Sequence, residues 1–267
     1  MENRGHVGDV LDPETPAVID GTRAVRDRHA LQTLPDQIAE RIYSAIVGGE
    51  YEPGERIREE ELASNFGVSR GPVREALRIL ERDSVVRVVP NRGAHVTPLS
   101  VKELNELFEI RRVLAGAMVR RLGKPSPEVL AHLGDKVNEL ERRARNVDQD
   151  AYVAASVELS LTLAQASGNE RLAEIMRSLA RQSWRYTQLA LKDARRRQES
   201  ARNWRALFVA LSRGQDEAAG LAMENLVEDA RLGAIRMLEE GQAAAAAAMA
   251  SALAPASATE KTRRKRP

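Results

Sequence analysis

The chain has 267 residues, enough for two modest domains; 43% are hydrophobic and only 3% aromatic, so the core is mostly aliphatic. It contains no cysteine, which excludes disulfides and thiol catalysis and fits a reducing cytoplasm. The formal net charge is +2, too balanced to mark a nucleic-acid binder by its sum. No apolar run reaches membrane-spanning length and the N-terminus lacks an apolar signal core, so a cytoplasmic protein that avoids membranes is expected.

Residues 1–31 are polar, carry Pro13 and Pro16, and show no apolar period; a disordered tail is expected there. A first domain is expected over residues 32–98. Pro35 opens a helix that runs to about Val47, with Ile38, Ile42, Ala45 and Ile46 on its core face. Gly48-Gly49 stops it, and Glu52-Pro53-Gly54 turns the chain. Glu60 to Phe66 suits a short helix with Leu62, Ala63 and Phe66 on one side. Gly67 ends that helix, because glycine enters the left-handed region without a Cβ penalty. Ser69 stands where an N-cap belongs, and Pro72 falls in the first turn of the next helix, where a missing N–H costs nothing. Val73, Ala76, Leu77 and Leu80 form one stripe of this helix; Arg70, Arg74 and Arg78 recur every four residues on a stripe beside it.

One face of that helix packs on the domain and the other is free to enter a major groove, where an arginine can bridge the two acceptors of a guanine. The competing reading is an ordinary solvated face. The following residues favour the groove. Val85 to Val89 and Ala94 to Thr97 are strand-like, and Pro90-Asn91-Arg92-Gly93 makes a turn between them. A hairpin with Arg92 at its tip suits phosphate or minor-groove contact. The layout is that of a winged helix-turn-helix, a module for reading duplex DNA. From Ser69 to Arg92 six arginines (70, 74, 78, 82, 87, 92) face Glu75, Glu81 and Asp83, so the case for DNA rests on where the charges point. His95 reads as a structural or surface histidine.

Pro98-Leu99-Ser100 is a hinge, with Ser100 and Glu103 forming a capping box for the next helix. An all-helical domain is expected over residues 99–241, with helices at Val101–Leu122, Glu128–Val147, Asp150–Ala166, Glu170 to about Leu191, Arg195–Arg213 and Asp216–Glu240. The fold class is therefore mainly α: an N-terminal winged helix-turn-helix with a small β-wing, then an all-α bundle. Glu239-Glu240-Gly241 ends the bundle, and residues 242–267 are an alanine-rich stretch that extends as a frayed helix, then a disordered basic tail. That tail can add salt-sensitive DNA affinity or be merely solvated.

The first domain resembles the signature of GntR-type bacterial transcription regulators. The residues that carry the likeness are Gly54, Leu62-Ala63, Phe66 to Arg70, Pro72 to Leu77, Leu80-Glu81 and Pro90 to Ala94. The resemblance implies DNA contacts from Ser69, Arg70 and Arg74, close backbone approach at Gly71 and Pro72, and a wing tip at Arg92 and Gly93; Arg78 joins the candidate contacts from its place on the arginine stripe. Glu60 departs from the pattern, because many relatives carry arginine there; an acid at that place repels DNA or pairs locally. Leu107 to Arg111, Ser167-Gly168-Asn169 with Leu172, and Trp204 to Leu207 resemble the effector domain of the FadR branch of that family, a ligand-binding and dimerising bundle.

Most members of the branch hold a divalent metal with one aspartate and three histidines. The matching positions here are Ser156, Ser160, Trp204 and Leu226, so no metal and no other cofactor is expected. Two readings of the bundle stay open: a pocket for an apolar or amphipathic effector such as an acyl group, or a closed domain that only dimerises. Candidate effector-binding residues are Arg111, Ser156, Ser160, Trp184, Trp204 and Leu226, with salt bridging and core packing as the alternative roles of Arg111 and the tryptophans. The expected protein is a homodimeric regulator, most simply a repressor, bound to a short palindromic operator in double-stranded DNA. An enzyme is not expected, since there is no metal cluster, nucleophile motif with a base, or glycine-rich phosphate loop.

Overall fold

The computed structural model describes residues 33–145 and 149–253. The expectations for the tails at 1–31 and 255–267 lie outside the described residues.

Helix α1 (Leu34–Gly48) starts at a reciprocal capping box between Thr33 and Asp36, with proline in its first turn. It ends at Gly49 in the left-handed conformation. Its buried face is Ile38, Ala39, Ile42, Tyr43 and Ile46; Ala45, expected on that face, is half-buried, and Tyr43 is buried in its stead. The short strand β1 (Arg56–Ile57) leads into α2 (Glu59–Phe66). Gly67, at φ 63°, closes α2 as the sequence requires. Then come α3 (Arg70–Arg82), β2 (Val86–Val89) and β3 (Gly93–Val96). The sheet order is β1-β3-β2, antiparallel throughout, with Val86 opposite Val96 and Ile57 opposite Ala94. Strand β1 was not expected: two residues are too few to show a period, and only the pairing of Arg56 with His95 reveals it. The wing strands differ from expectation by one residue at their ends: β2 starts at Val86 and not Val85, and β3 runs Gly93–Val96 and not Ala94–Thr97, although the Thr97 amide still donates to Val85 O at 3.0 Å. One core unites α1, α2, α3 and the sheet, including Ile42, Ile57, Leu77 and Leu80, each at most 1% exposed.

The second domain holds α4 (Val101–Leu122), α5 (Pro127–Arg145), α6 (Gln149–Ala166), α7 (Glu170–Ala190), α8 (Ala194–Ser212) and α9 (Asp216–Leu253). Ser100 and Glu103 make the expected capping box, with Ser100 Oγ accepting from the Glu103 amide at 3.2 Å. Asn169 caps α7 by accepting from the Leu172 amide at 3.1 Å. Helix α9 lies antiparallel along α4, tied by Arg120 to Glu217 and Glu224, Arg112 to Glu224, and Arg231 to Asn105. Phe108, Met118, Leu140, Tyr152, Leu159 and Leu207 fill the core.

Helix α9 continues through Gly241 to Leu253, so the alanine-rich stretch prolongs the last helix of the bundle. A glycine inside a helix costs about 1 kcal/mol relative to alanine, which the run of alanines that follows can sustain. Among the described residues, no helix is long and apolar enough to cross a membrane.

Candidate nucleic-acid interface and the helical domain behind it

Helix α3 divides as its period demands. Val73, Ala76, Leu77, Ile79 and Leu80 are buried, whereas Arg70, Gly71, Arg74, Glu75 and Arg78 are exposed. Ser69 occupies the N-cap position with extended backbone, but its hydroxyl makes no capping bond. An exposed hydroxyl at a helix N-terminus is a ready donor to a phosphate oxygen. At Gly71 a Cβ would approach nothing closer than Ser69 Oγ at 3.9 Å, so the helix start is open to an incoming backbone. Pro72 is half-buried beside it.

Each of the three arginines is met by a carboxylate. Arg70 Nη2 lies 2.6 Å from Glu60 Oε1, and Arg78 Nη1 lies 3.5 Å from Glu75. Arg74 donates from Nε at 3.3 Å and Nη2 at 3.0 Å to one oxygen of Glu59. That bond to Glu59 holds the Arg74 guanidinium above its usual range, so it is a fixed cation. Glu60 therefore pairs locally, one of the two outcomes its charge allowed. The part played by Glu59 was not visible in the sequence, since it rests on how α2 crosses α3. Exposed pairs of this kind contribute little net stability, so the arginines are available for exchange to a stronger partner.

The wing follows α3 as the antiparallel hairpin of β2 and β3. Asn91 at φ 60° and Gly93 at φ 85° turn the chain between β2 and β3, closed by the Arg92 amide donating to Val89 O at 3.0 Å. Arg92 is exposed at the tip. The Arg56 guanidinium lies close by, where a Cβ on Gly93 would meet its Nε at 3.5 Å. Arg56 is thus a second cation at the wing, missed for the same reason as β1. The His95 ring reaches Gly54 O at 3.3 Å, a structural contact.

Two arginines of α7 bind the winged domain to the bundle. The side chain of Arg181 is 5% exposed; Nη1 lies 2.8 Å from Glu40 on α1, and Nε lies 3.2 Å from Asp83, the C-cap of α3. Its guanidinium also covers the Tyr43 ring at 3.9 Å, and the Tyr43 hydroxyl donates to Arg181 O at 3.4 Å. Arg185 donates to Ile46 O at 3.2 Å, to Tyr51 O at 2.6 Å and to Glu52 at 2.8 Å. A cavity of about 30 Å³ remains between the domains beside Tyr43, Arg181 and Tyr186.

The six candidate effector residues do not line one cavity. Ser156 donates to Val153 O at 2.8 Å and Ser160 to Ser156 O at 3.0 Å, so both hydroxyls are turned back on their own helix. Arg111 donates to Ser183 Oγ at 2.7 Å and covers the Phe108 ring at 4.8 Å. Burial pushes its guanidinium down to about 10. Trp184 is half-buried and packs against both cores. Trp204 is 5% exposed and Leu226 is 8% exposed, both within the bundle core. The space beside Trp204, walled also by Leu133, Leu159, Leu163 and Leu207, is about 10 Å³, no more than one water requires. Among the described residues, no group of three or more His, Cys, Asp or Glu side chains is placed to hold a metal ion.

This geometry agrees with comparisons to known proteins. Residues 34–96 match the model of bacterial regulatory proteins of the gntR family, and residues 106–229 match the FCD domain. Over 126 residues, 46% of its length, the chain is 32% identical to an uncharacterized HTH-type transcriptional regulator from the ttuE-ttuC' intergenic region of Agrobacterium vitis, and covers 74% of that protein. It is 36% identical over 95 residues, 36% of its length, to the gluconate operon transcriptional repressor of Bacillus licheniformis, but spans only 39% of that relative. The fold is shared with E. coli McbR/YncC at a TM-score of 0.67 and 22% identity, over 78% of this chain and all of that one. With a winged domain whose arginine face is open and an FCD bundle behind it, the chain belongs to the gntR family of bacterial regulatory proteins, DNA-binding transcription regulators.

Proposed function

We propose that this regulator binds a short palindromic operator as a homodimer, with α3 of each protomer in a major groove and each wing on the adjacent backbone. The observation that carries this reading is the exposed stripe of Arg70, Arg74 and Arg78 beside a buried apolar stripe on one helix. Ser69, Gly71 and Pro72 form the close approach at the helix start, and Arg92 and Gly93 the wing contact. Two-fold symmetry of the protein then requires two-fold symmetry of the site. Homodimerisation is supported by Ile110 and Val113 on α4 and Leu221 on α9, large apolar side chains at least half exposed on two helices packed together. The name of the gluconate operon relative supports repression as the direction of control.

The bundle responds, in this reading, to a small organic effector of acyl or lipid-like character without a metal, which would enter by displacing Trp204 and be sensed through Arg181 and Arg185. The tight packing around Trp204 favours a second reading, a constitutive dimer whose bundle takes no effector. Native mass spectrometry of protein from its own host separates the two. A metal-free dimer with an organic adduct supports the first, and a bare dimer the second. The DNA reading is tested by selection of bound duplexes from a randomised pool. Enrichment of two-fold symmetric sequences is expected, and recovery of an unselected pool would sink it.

A further inference from the structure

The acid at position 60 stands on the face assigned to DNA. Its side chain is 73% exposed and that of its partner Arg70 is 59% exposed. Glu59, by contrast, is only 29% exposed and receives two donors from Arg74 on one oxygen, which makes it a positioning residue for that arginine. Among the described residues, Glu60 is held by Arg70 Nη2 alone, which contacts Oε1 and leaves Oε2 outside the bridge. A carboxylate brought to duplex DNA is repelled by phosphates. It is tolerated only if an arginine neutralises it or a base donates to it, and here the geometry allows both together.

We propose that Glu60 and Arg70 act as one reader of a single G·C base pair. The proposal rests on the placement of α3 in the major groove argued above. Across that groove a G·C pair presents two acceptors, guanine N7 and O6, then one donor, the N4 amine of cytosine. The Arg70–Glu60 pair presents the complement in order: guanidinium N–H donors from Arg70, then a carboxylate acceptor from Glu60. Arg70 has five N–H donors, so it can keep its bond to Glu60 and still address guanine with a second edge. Glu60 Oε2 accepts from the cytosine amine of the same pair. Arginine alone reads guanine whatever holds the opposite strand; the added acid reads both bases. An A·T pair at that position would set the thymine O4 acceptor against the carboxylate, a repulsive contact that rejects the wrong sequence as well as favouring the right one.

The test uses the full chain and duplexes recovered by selection. Each G·C pair of the half-site is replaced in turn by guanine opposite 2-pyrimidinone, a cytosine analogue without the N4 amine. At one position per half-site, the wild type is expected to lose about five- to a hundredfold in affinity on removal of the amine. Glu60→Ala and Glu60→Gln are expected to be far less sensitive to that replacement. Both variants should keep the wild-type melting temperature, because the side chain is exposed. Wild-type affinity that ignores the amine at every position overturns the proposal, as does a Glu60→Ala protein that remains equally sensitive. Uniformly tighter binding of Glu60→Ala to all duplexes, random ones included, also overturns it, since the acid would then be only a repulsive brake. An Arg70→Ala protein that selects unchanged sites would refute the underlying recognition-helix reading, a result separable from failure at Glu60 alone.

Discussion

Arg181 of the bundle places its Nε 3.2 Å from the carboxylate of Asp83, the residue that caps the recognition helix. The guanidinium is buried, and Glu40 on α1 takes its other end at 2.8 Å. A buried cation shared by two acids from the neighbouring domain fixes the angle at which α3 is presented. Removing one member of such a cluster leaves uncompensated charge, a loss of about 3 kcal/mol or more. Arg181→Ala is therefore expected to uncouple the domains. Thermal unfolding followed separately in each domain should change from one transition to two, with the winged domain melting first. A single unshifted transition would show that the contact does not couple them.

The packing at Trp204 makes a second prediction. Trp204→Ala removes a large buried side chain from the core, and such truncations cost about 3–5 kcal/mol. Denaturant unfolding of the helical domain measures this. The variant also enlarges an apolar space that is now about 10 Å³. A dry cavity of that character takes up small apolar molecules, so benzene or a short fatty acid should raise the melting temperature of Trp204→Ala more than that of the wild type. Equal responses would mean that the space closes when the indole is removed.

Much of the fold was legible in the sequence because its signals are local. Ser100 with Glu103, Gly67 and Asn169 each mark a helix end through their own backbone or a neighbour within three residues; the box of Thr33 with Asp36 is just as local, although the expected start of that helix rested on Pro35 alone. Helix α4 ends where its period ends, at Leu122. Strand β1 was hidden because its two residues are defined by a partner some forty positions away. Helix α9 passes Gly241 without a break because the alanine run after it favours helix. At the site, the arginine stripe follows from period alone, whereas its pairing with Glu59 and Glu60 depends on the crossing of α2 and α3. The effector positions were inferred from resemblance. Packing then turned Ser156 and Ser160 back on their own helix and set Arg111 against Ser183.

The bidentate contact of Arg205 with Glu141, at 2.9 and 2.6 Å, links α8 to α5 and gives a pH prediction. The hydrogen bond from Arg205 holds the Glu141 carboxyl below its ordinary range. A depressed folded pKa stabilises the native state above the unfolded carboxylate value, about 4.3. That contribution is lost as pH falls through the lower folded value. Both side chains are about a third exposed, so the effect is small, about 0.5 kcal/mol after screening. Glu141→Gln should lower stability at pH 7 by that amount and leave stability near pH 2 unchanged. An equal loss at both pH values would assign the effect to packing and not to charge.

At the wing, Arg92→Ala is expected to weaken binding to all duplexes alike and to reduce the slope of log affinity against log salt by about one unit per half-site. Altered sequence preference with an unchanged slope would mean that Arg92 reads bases instead of phosphates.

The most direct measurement compares wild type and Arg74→Ala on the selected operator and on a scrambled duplex of the same length, at one salt concentration. Arg74 is exposed, so its loss leaves the fold intact. If α3 reads the operator, the variant loses about ten- to a hundredfold in affinity for the operator and far less for the scrambled duplex. Equal affinities of the two proteins for the operator would contradict the assignment of α3 as the recognition helix.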